Sequence, residues 1–294
     1  MSNTNQNNDH VTILAGGGQL PLLLVRELEQ KEIPYKLIAF RGFAERQTCK
    51  AANAVVHLLD LTRIRNHLEQ WQSEKVTLVG DITRPNASAL LSAFSLVANY
   101  TWVKEVISKG DDNLLRGAVT LLESWGCRII GVHELMPEIM ASAGILGQIT
   151  PIEEDHRTLM TGFDILDALS PFDIGQALVL TGERVLAMEG PEGTDQMLKR
   201  VKRLQKRSFF SKKIILRGAL VKTAKKGQDL RFDMPAIGPR TIRNVWAAGL
   251  HGIAVGSGST LIVNKQETIT TANQLGIYLL GFNEASRQKY NSRV

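Results

Sequence analysis

Cysteine is almost absent from this 294-residue chain, with Cys49 and Cys127 its two examples. They match neither a disulfide framework nor a metal-ligand spacing, which points to a reducing compartment and two structural thiols. Six scattered histidines contain no His-x-x-x-His pair, so a zinc centre has no support. No Gly-x-Ser-x-Gly elbow and no Gly-Lys-Ser/Thr occur, which leaves serine acyl transfer and a P-loop without a basis. Long apolar runs are missing as well. The longest, Ala87 to Tyr100, is shorter than a membrane-spanning helix and is broken by Ser and Asn. Residues 1–10 are polar and Asn-rich, which predicts a disordered tail and no secretory signal. The expected protein is soluble, or at most peripheral to a membrane.

A chain of this length, 44% hydrophobic, buries a real core and exceeds the usual size of one domain. Its first half alternates strands and helices. The pattern predicts strands over Val11–Ala15, Lys36–Phe40, Val55–Leu59, Val76–Gly80 and Arg128–Val132. Helices are expected over Pro21–Gln30, over Thr62–Trp71 with Thr62 as cap, over Ala87–Ile107, and from Asp111 to Trp125. That spacing implies α/β architecture: a Rossmann-like N-terminal domain with a parallel sheet, residues 11–137. Residues 138–151, rich in Gly and small side chains, read as a linker. Residues 152–283 read as a separate C-terminal α/β domain, with a hairpin at Thr181-Gly182-Glu183, and 284–294 as a tail.

Charge is uneven. Gln196 to Arg231 carries thirteen Lys or Arg against the single acid Asp229, while the whole chain is only +6, so the remainder is net acidic. Such a patch suits a polyanion: nucleic acid, anionic lipid or a phosphorylated ligand. Part of it, Lys199 to Lys213, reads equally well as the solvated face of an amphipathic helix. A nucleic-acid binder is the alternative reading, weakened because Phe209 and Phe210 are the segment's only aromatics.

Several motifs could carry chemistry. Gly16-Gly17-Gly18-Gln19-Leu20-Pro21 links a strand to a helix, where close backbone approach and free amides favour an anion. It departs from the dinucleotide fingerprint, since Pro21 stands at the third glycine and no acid follows the second strand; a reductase using NADP through Arg41 is disfavoured accordingly. Asp81 closes a strand of the same sheet and can face the same crevice. In the second half, Gln176 enters a strand, while Glu192, Thr194 and Asp195 open a helix and could cap it or hold a substrate sugar. The densest stretch is Val221 to Thr241. Lys222, Lys225 and Lys226 can neutralise phosphate oxygens there, and Asp229 and Asp233 can ligate Mg²⁺ or orient water.

These motifs fall together in one known order. Ile13 to Pro21, Gly110-Asp111-Asp112, Asp173 to Gln176, Glu192 to Asp195 and Gln228 to Pro235 make the chain resemble the UDP-2,3-diacylglucosamine pyrophosphatases of lipid A biosynthesis, in the form lacking the metallophosphoesterase fold. The resemblance covers about Val11 to Phe282. It implies Mg²⁺-dependent hydrolysis of the substrate pyrophosphate to UMP and lipid X, with Asp233 matching the family's essential aspartate. Lys226 and Ala236 depart from the residues common in the family. The expected roles, from the residues' own chemistry together with this match, are catalysis for Asp233, Asp229 and Lys222, metal binding for Asp233, and substrate binding for Gly17, Gly18, Gln19, Asp81, Gln176, Glu192, Thr194, Asp195 and Lys225. A cytoplasmic protein meeting the anionic inner-membrane surface transiently is also implied, with room for a homodimer and no nucleic-acid partner. The helices from Ala87 to Ile107 are expected to shelter acyl chains.

Overall fold

A computed structural model describes residues 9–82, 111–172, 174–206 and 217–283. The chain divides into two compact units. Met1–Pro137 with Arg231–Asp233 form the first, and Glu138–Leu230 with Met234–Val294 the second.

The first unit comprises β1 (Val11–Ala15), α1 (Leu20–Gln30), β2 (Tyr35–Phe40), α2 (Arg46–Ala51), β3 (Ala54–Val56), α3 (Leu61–Trp71), β4 (Lys75–Val79), α4 (Asp111–Ser124), β5 (Arg128–Ile129) and α5 (Val132–Leu135). Its five strands are all parallel, in the doubly wound order β3-β2-β1-β4-β5. The near-continuous apolar runs of β1 and β2 follow from that topology, because crossover helices cover both faces of a parallel sheet. Ile13, Leu37 and Ile38 are fully buried, and α1 turns Leu24 and Leu28 inward. Two local expectations are corrected. Helix α3 begins one residue earlier than read, so its cap is Asp60, whose carboxylate accepts the Arg63 N–H at 3.2 Å, and not Thr62. The strand expected to reach Val132 stops at Ile129. Gly131 then opens the short α5, its N–H donating to Glu134 Oε1 at 2.8 Å.

The second unit contains β6 (Gly144–Ile145), α6 (Glu153–Leu169), β7 (Ala177–Thr181), β8 (Arg184–Met188), α7 (Gly193–Lys206), β9 (Gly218–Lys222), β10 (Ala236–Ile237), α8 (Pro239–Ala247), β11 (Gly252–Gly256), β12 (Leu261–Ile262), α9 (Lys265–Gln274) and β13 (Tyr278–Phe282). Six strands form a mixed sheet, β6-β13-β11-β9-β7-β8, and β10 pairs with β12 separately. The β7–β8 hairpin turns as expected through Gly182. On one face α7, α8 and α9 bury Met197, Leu198, Val201, Ile242, Val245 and Ala272. On the other, α6 buries Leu159, Phe163 and Leu166 against Leu180, Val221 and Tyr278. The segment read as a linker is not one throughout: β6 pairs antiparallel with β13, Ile145 opposite Leu280. A two-residue edge strand shows no alternation that a sequence pattern could reveal. The expectations for Ala87–Ile107, Gly110, Asp173, residues 1–8 and residues 284–294 lie outside the described residues, while His10, expected in the amino-terminal tail, is instead buried beside Ser73.

Candidate active site

In the first unit, the loops after β1 and β4 meet at the carboxyl ends of adjacent parallel strands, the point where open α/β sheets take ligands. Gly17 and Asp81 exchange both backbone hydrogen bonds, at 2.8 and 3.0 Å, and the Gly16 N–H donates to Val79 O at 2.8 Å. A Cβ on Gly16 would lie 2.6 Å from Asp81 O, and one on Gly80 2.4 Å from Gly17 O. The approach of the two loops thus already demands these glycines. Gly18 leads the chain into α1, with Asp81 Oδ2 3.5 Å from where its Cβ would stand. Gln19 occupies the cap position without a side-chain cap bond. The amino end of α1 therefore opens from this crevice, a setting that favours an anionic group.

Arg231–Asp233 also belong to this unit. Arg231 Nη1 donates to Glu123 Oε1 at 3.0 Å, and Phe232 packs against the core cluster that also receives Ile82 and Trp125. Asp233, half-buried, follows directly and takes its place from that anchor.

In the second unit, strand register assembles a buried polar cluster. Ala177 stands opposite Lys222 across β7 and β9, so Gln176 meets Thr223, whose N–H donates to Gln176 O at 3.0 Å. The neighbouring Glu189 N–H donates to Ala177 O at 2.8 Å. A Cβ on Gly175 would lie 2.4 Å from Glu189 O, so only glycine admits this approach. Thr194 enters from the first turn of α7. Lys222 Nζ donates to Thr194 Oγ1 at 2.7 Å, Thr194 donates to Glu189 Oε1, and the Gln176 N–H donates to Glu189 Oε2 at 2.9 Å. Lys222 and Glu189 side chains are each 11% exposed, with Nζ and Oε1 3.8 Å apart. Burying two opposite charges together limits the desolvation that either would suffer alone.

Gln176, Thr194 and Lys222, read from three separate motifs, therefore converge. Glu189, which no motif singled out, completes the group; its signal was an acid at a strand end just before a Gly-Thr helix start. The other expected residues go elsewhere. Glu192 accepts from Arg200 at 2.9 Å. Asp195 accepts from Asn244 at 2.7 Å and pairs with Arg240 at 2.6 Å, tying α7 to α8. Lys226 pairs with Asp167 at 3.1 Å, and the Lys225 N–H donates to Gln228 Oε1 at 2.7 Å in the turn that carries Asp229. Among the described residues, no group of three or more His, Cys, Asp or Glu side chains could hold a metal ion.

A second polar cluster lies at the other end of the same strands. Arg217 holds Asp155 through two hydrogen bonds, at 2.8 and 3.3 Å. Beside them, burial pushes the Tyr278 hydroxyl far above the usual phenol range, and burial followed by the Arg217 charge lowers His251. Among the described residues, the buried Tyr278 hydroxyl and His251 Nδ1 have no hydrogen-bond partner.

Residues 10–139 match the model of the LpxI N-terminal domain, and residues 142–280 that of the LpxI C-terminal domain. The UDP-2,3-diacylglucosamine pyrophosphatase LpxI of Caulobacter vibrioides is 32% identical over 277 residues, 94% of this chain and 98% of that protein. A biotin carboxylase domain from Hydrogenobacter thermophilus aligns with 67% of this chain and 40% of its own at 13% identity, and its TM-score of 0.23 is too low to carry an argument. With both halves matched in order and a relative covered almost end to end, the chain belongs to the LpxI family.

Proposed function

We propose that this protein hydrolyses the pyrophosphate of UDP-2,3-diacylglucosamine, yielding UMP and 2,3-diacylglucosamine 1-phosphate, lipid X. The observation that carries the reading is the near full-length relation to a pyrophosphatase named for that substrate. Water attacks the phosphorus nearer the sugar, the bond from that phosphorus to the bridging oxygen breaks, and UMP leaves with the bridging oxygen. In the first unit, Gly17, Gly18, Gln19 and Asp81 contact substrate and Asp233 serves the chemistry; in the second, Lys222 and Lys225 offset phosphate charge beside Gln176 and Thr194.

The described residues build no cage for a cation. A lone carboxylate still fits Mg²⁺, which binds through one or two carboxylates and completes its shell with water and substrate phosphates. Asp233 would hold it or orient the attacking water. Bound there, the ion would supply charge neutralisation to the phosphate oxygens. We also propose that the anionic inner face of the membrane is where the two-chain substrate is met. The exposed Lys199, Arg200, Lys202 and Arg203 of α7 support this, and no described helix is long and apolar enough to cross a membrane.

The test is UMP release from UDP-2,3-diacylglucosamine by purified protein, with Mg²⁺ and with EDTA. Release that EDTA abolishes is expected. No release by folded protein in Mg²⁺ would overturn the reading.

A further inference from the structure

We infer that Glu189 is a positioning residue, which aims the Lys222 ammonium at a substrate phosphate through the Thr194 hydroxyl; this rests on the proposed hydrolase reading. The direction of the chain of hydrogen bonds is forced. Lysine only donates, so Thr194 Oγ1 must accept from Lys222 at 2.7 Å. A hydroxyl has one proton, and that proton goes to Glu189 Oε1. The second carboxylate oxygen is taken by the Gln176 N–H at 2.9 Å. Lys222 and Glu189 are 3.8 Å apart, beyond a direct hydrogen bond, so the threonine is the connecting piece.

Two consequences separate this arrangement from an ordinary phosphate-binding loop. Thr194 has no proton left to give a substrate oxygen, so its part in recognition is indirect. Lys222 spends one of three N–H bonds on Thr194, and the other two remain at the carboxyl end of β9, where Thr223 begins the loop that leads to Asp229. Glu189 thereby fixes the direction of a cation that would otherwise sample the rotamers of a four-carbon stem. A displacement of about 1 Å at a positioning group is worth roughly a hundredfold in rate.

The experiment compares Glu189→Gln, Thr194→Val, Thr194→Ser and Lys222→Met in steady-state UMP release, with thermal melting as the fold control. Lys222→Met is expected to raise KM and lower kcat, because a phosphate partner is lost. Glu189→Gln keeps the cation, removes the opposing charge and loosens its aim, so kcat falls by about ten- to a hundredfold while KM stays level or drops. Thr194→Val should behave as Glu189→Gln does, and Thr194→Ser, which retains the single proton, should recover the loss. Wild-type kcat in Glu189→Gln, or a KM raised as in Lys222→Met, overturns the positioning role. If Glu189→Gln does not fold, the threonine pair decides: serine as impaired as valine overturns the role, and recovery by serine sustains it. Wild-type protein that releases no UMP overturns the hydrolase reading itself, whereas active wild type with unaffected variants overturns the positioning role alone.

Discussion

Asp233 is held by its neighbours rather than by an element of its own: Phe232 is packed against the core of the first unit, and Arg231 is pinned to Glu123. Truncating the carboxylate leaves both anchors in place, so Asp233→Ala should abolish UMP release while circular dichroism still reports a folded protein. Retained turnover would remove Asp233 from the chemistry. His251 gives a prediction of another kind. Its pKa lies below the ordinary imidazole value, first through burial and then through Arg217, so the folded state favours the neutral ring. As pH falls below about 6.5, the unfolded chain takes up a proton there before the folded one does. Stability is therefore full above that pH and is lost progressively beneath it. His10, lowered by burial and then by Lys36, acts with the same sign. Denaturant midpoints measured at pH 7 and pH 5 should differ less in His251→Gln than in the parent, and an unchanged difference would contradict this.

Among the elements, the two loops joined at the ends of β1 and β4 tolerate substitution poorly. Gly80 combines φ +91° with a backbone oxygen 2.4 Å from any Cβ placed on it. Gly42 has φ +85° and nothing within 4 Å, so Gly42→Ala isolates the conformational penalty, about 1–3 kcal/mol. Gly80→Ala should lose distinctly more than Gly42→Ala in chemical denaturation, because a carbonyl cannot give way as a flexible side chain can. Helix α7 makes a separate prediction. Its buried face is Met197, Leu198 and Val201, and its exposed face carries Lys199, Lys202 and Arg203. Changing those three cations to Glu should weaken sedimentation with anionic vesicles, with little effect on melting.

Legibility in the sequence followed the length and period of each element. β1 and α1, a bounded apolar run and an amphipathic stretch, lie where Val11–Ala15 and Pro21–Gln30 were read. α5 was hidden because Ile129-Ile130 and Val132 form one apolar stretch, in which only Gly131 marks the change of backbone. β6 was hidden because two residues carry no period, and its pairing to β13 is set by tertiary structure. At the candidate site, Gln176, Thr194 and Lys222 were visible through turn and helix-start chemistry. Glu189 was not, since its importance arises from three strands placed in register, which no local pattern encodes.

For the molecule as a whole, the order of contacts does not follow the order of the chain. The first unit runs to Pro137, the second occupies Glu138 to Leu230, and the chain then returns Arg231–Asp233 to the first before finishing the second. Domains made in one uninterrupted run can settle as they leave the ribosome, amino end first. Here the parallel sheet is synthesised early but must wait for residue 232 before Phe232, which packs against its core, arrives. Until then the surface that Phe232 will cover is bare, and an incompletely translated chain cannot acquire Asp233 in its place. A truncated messenger would thus yield a partly folded and inactive product, and cleavage within the returning loop would silence the protein while leaving most of each unit intact.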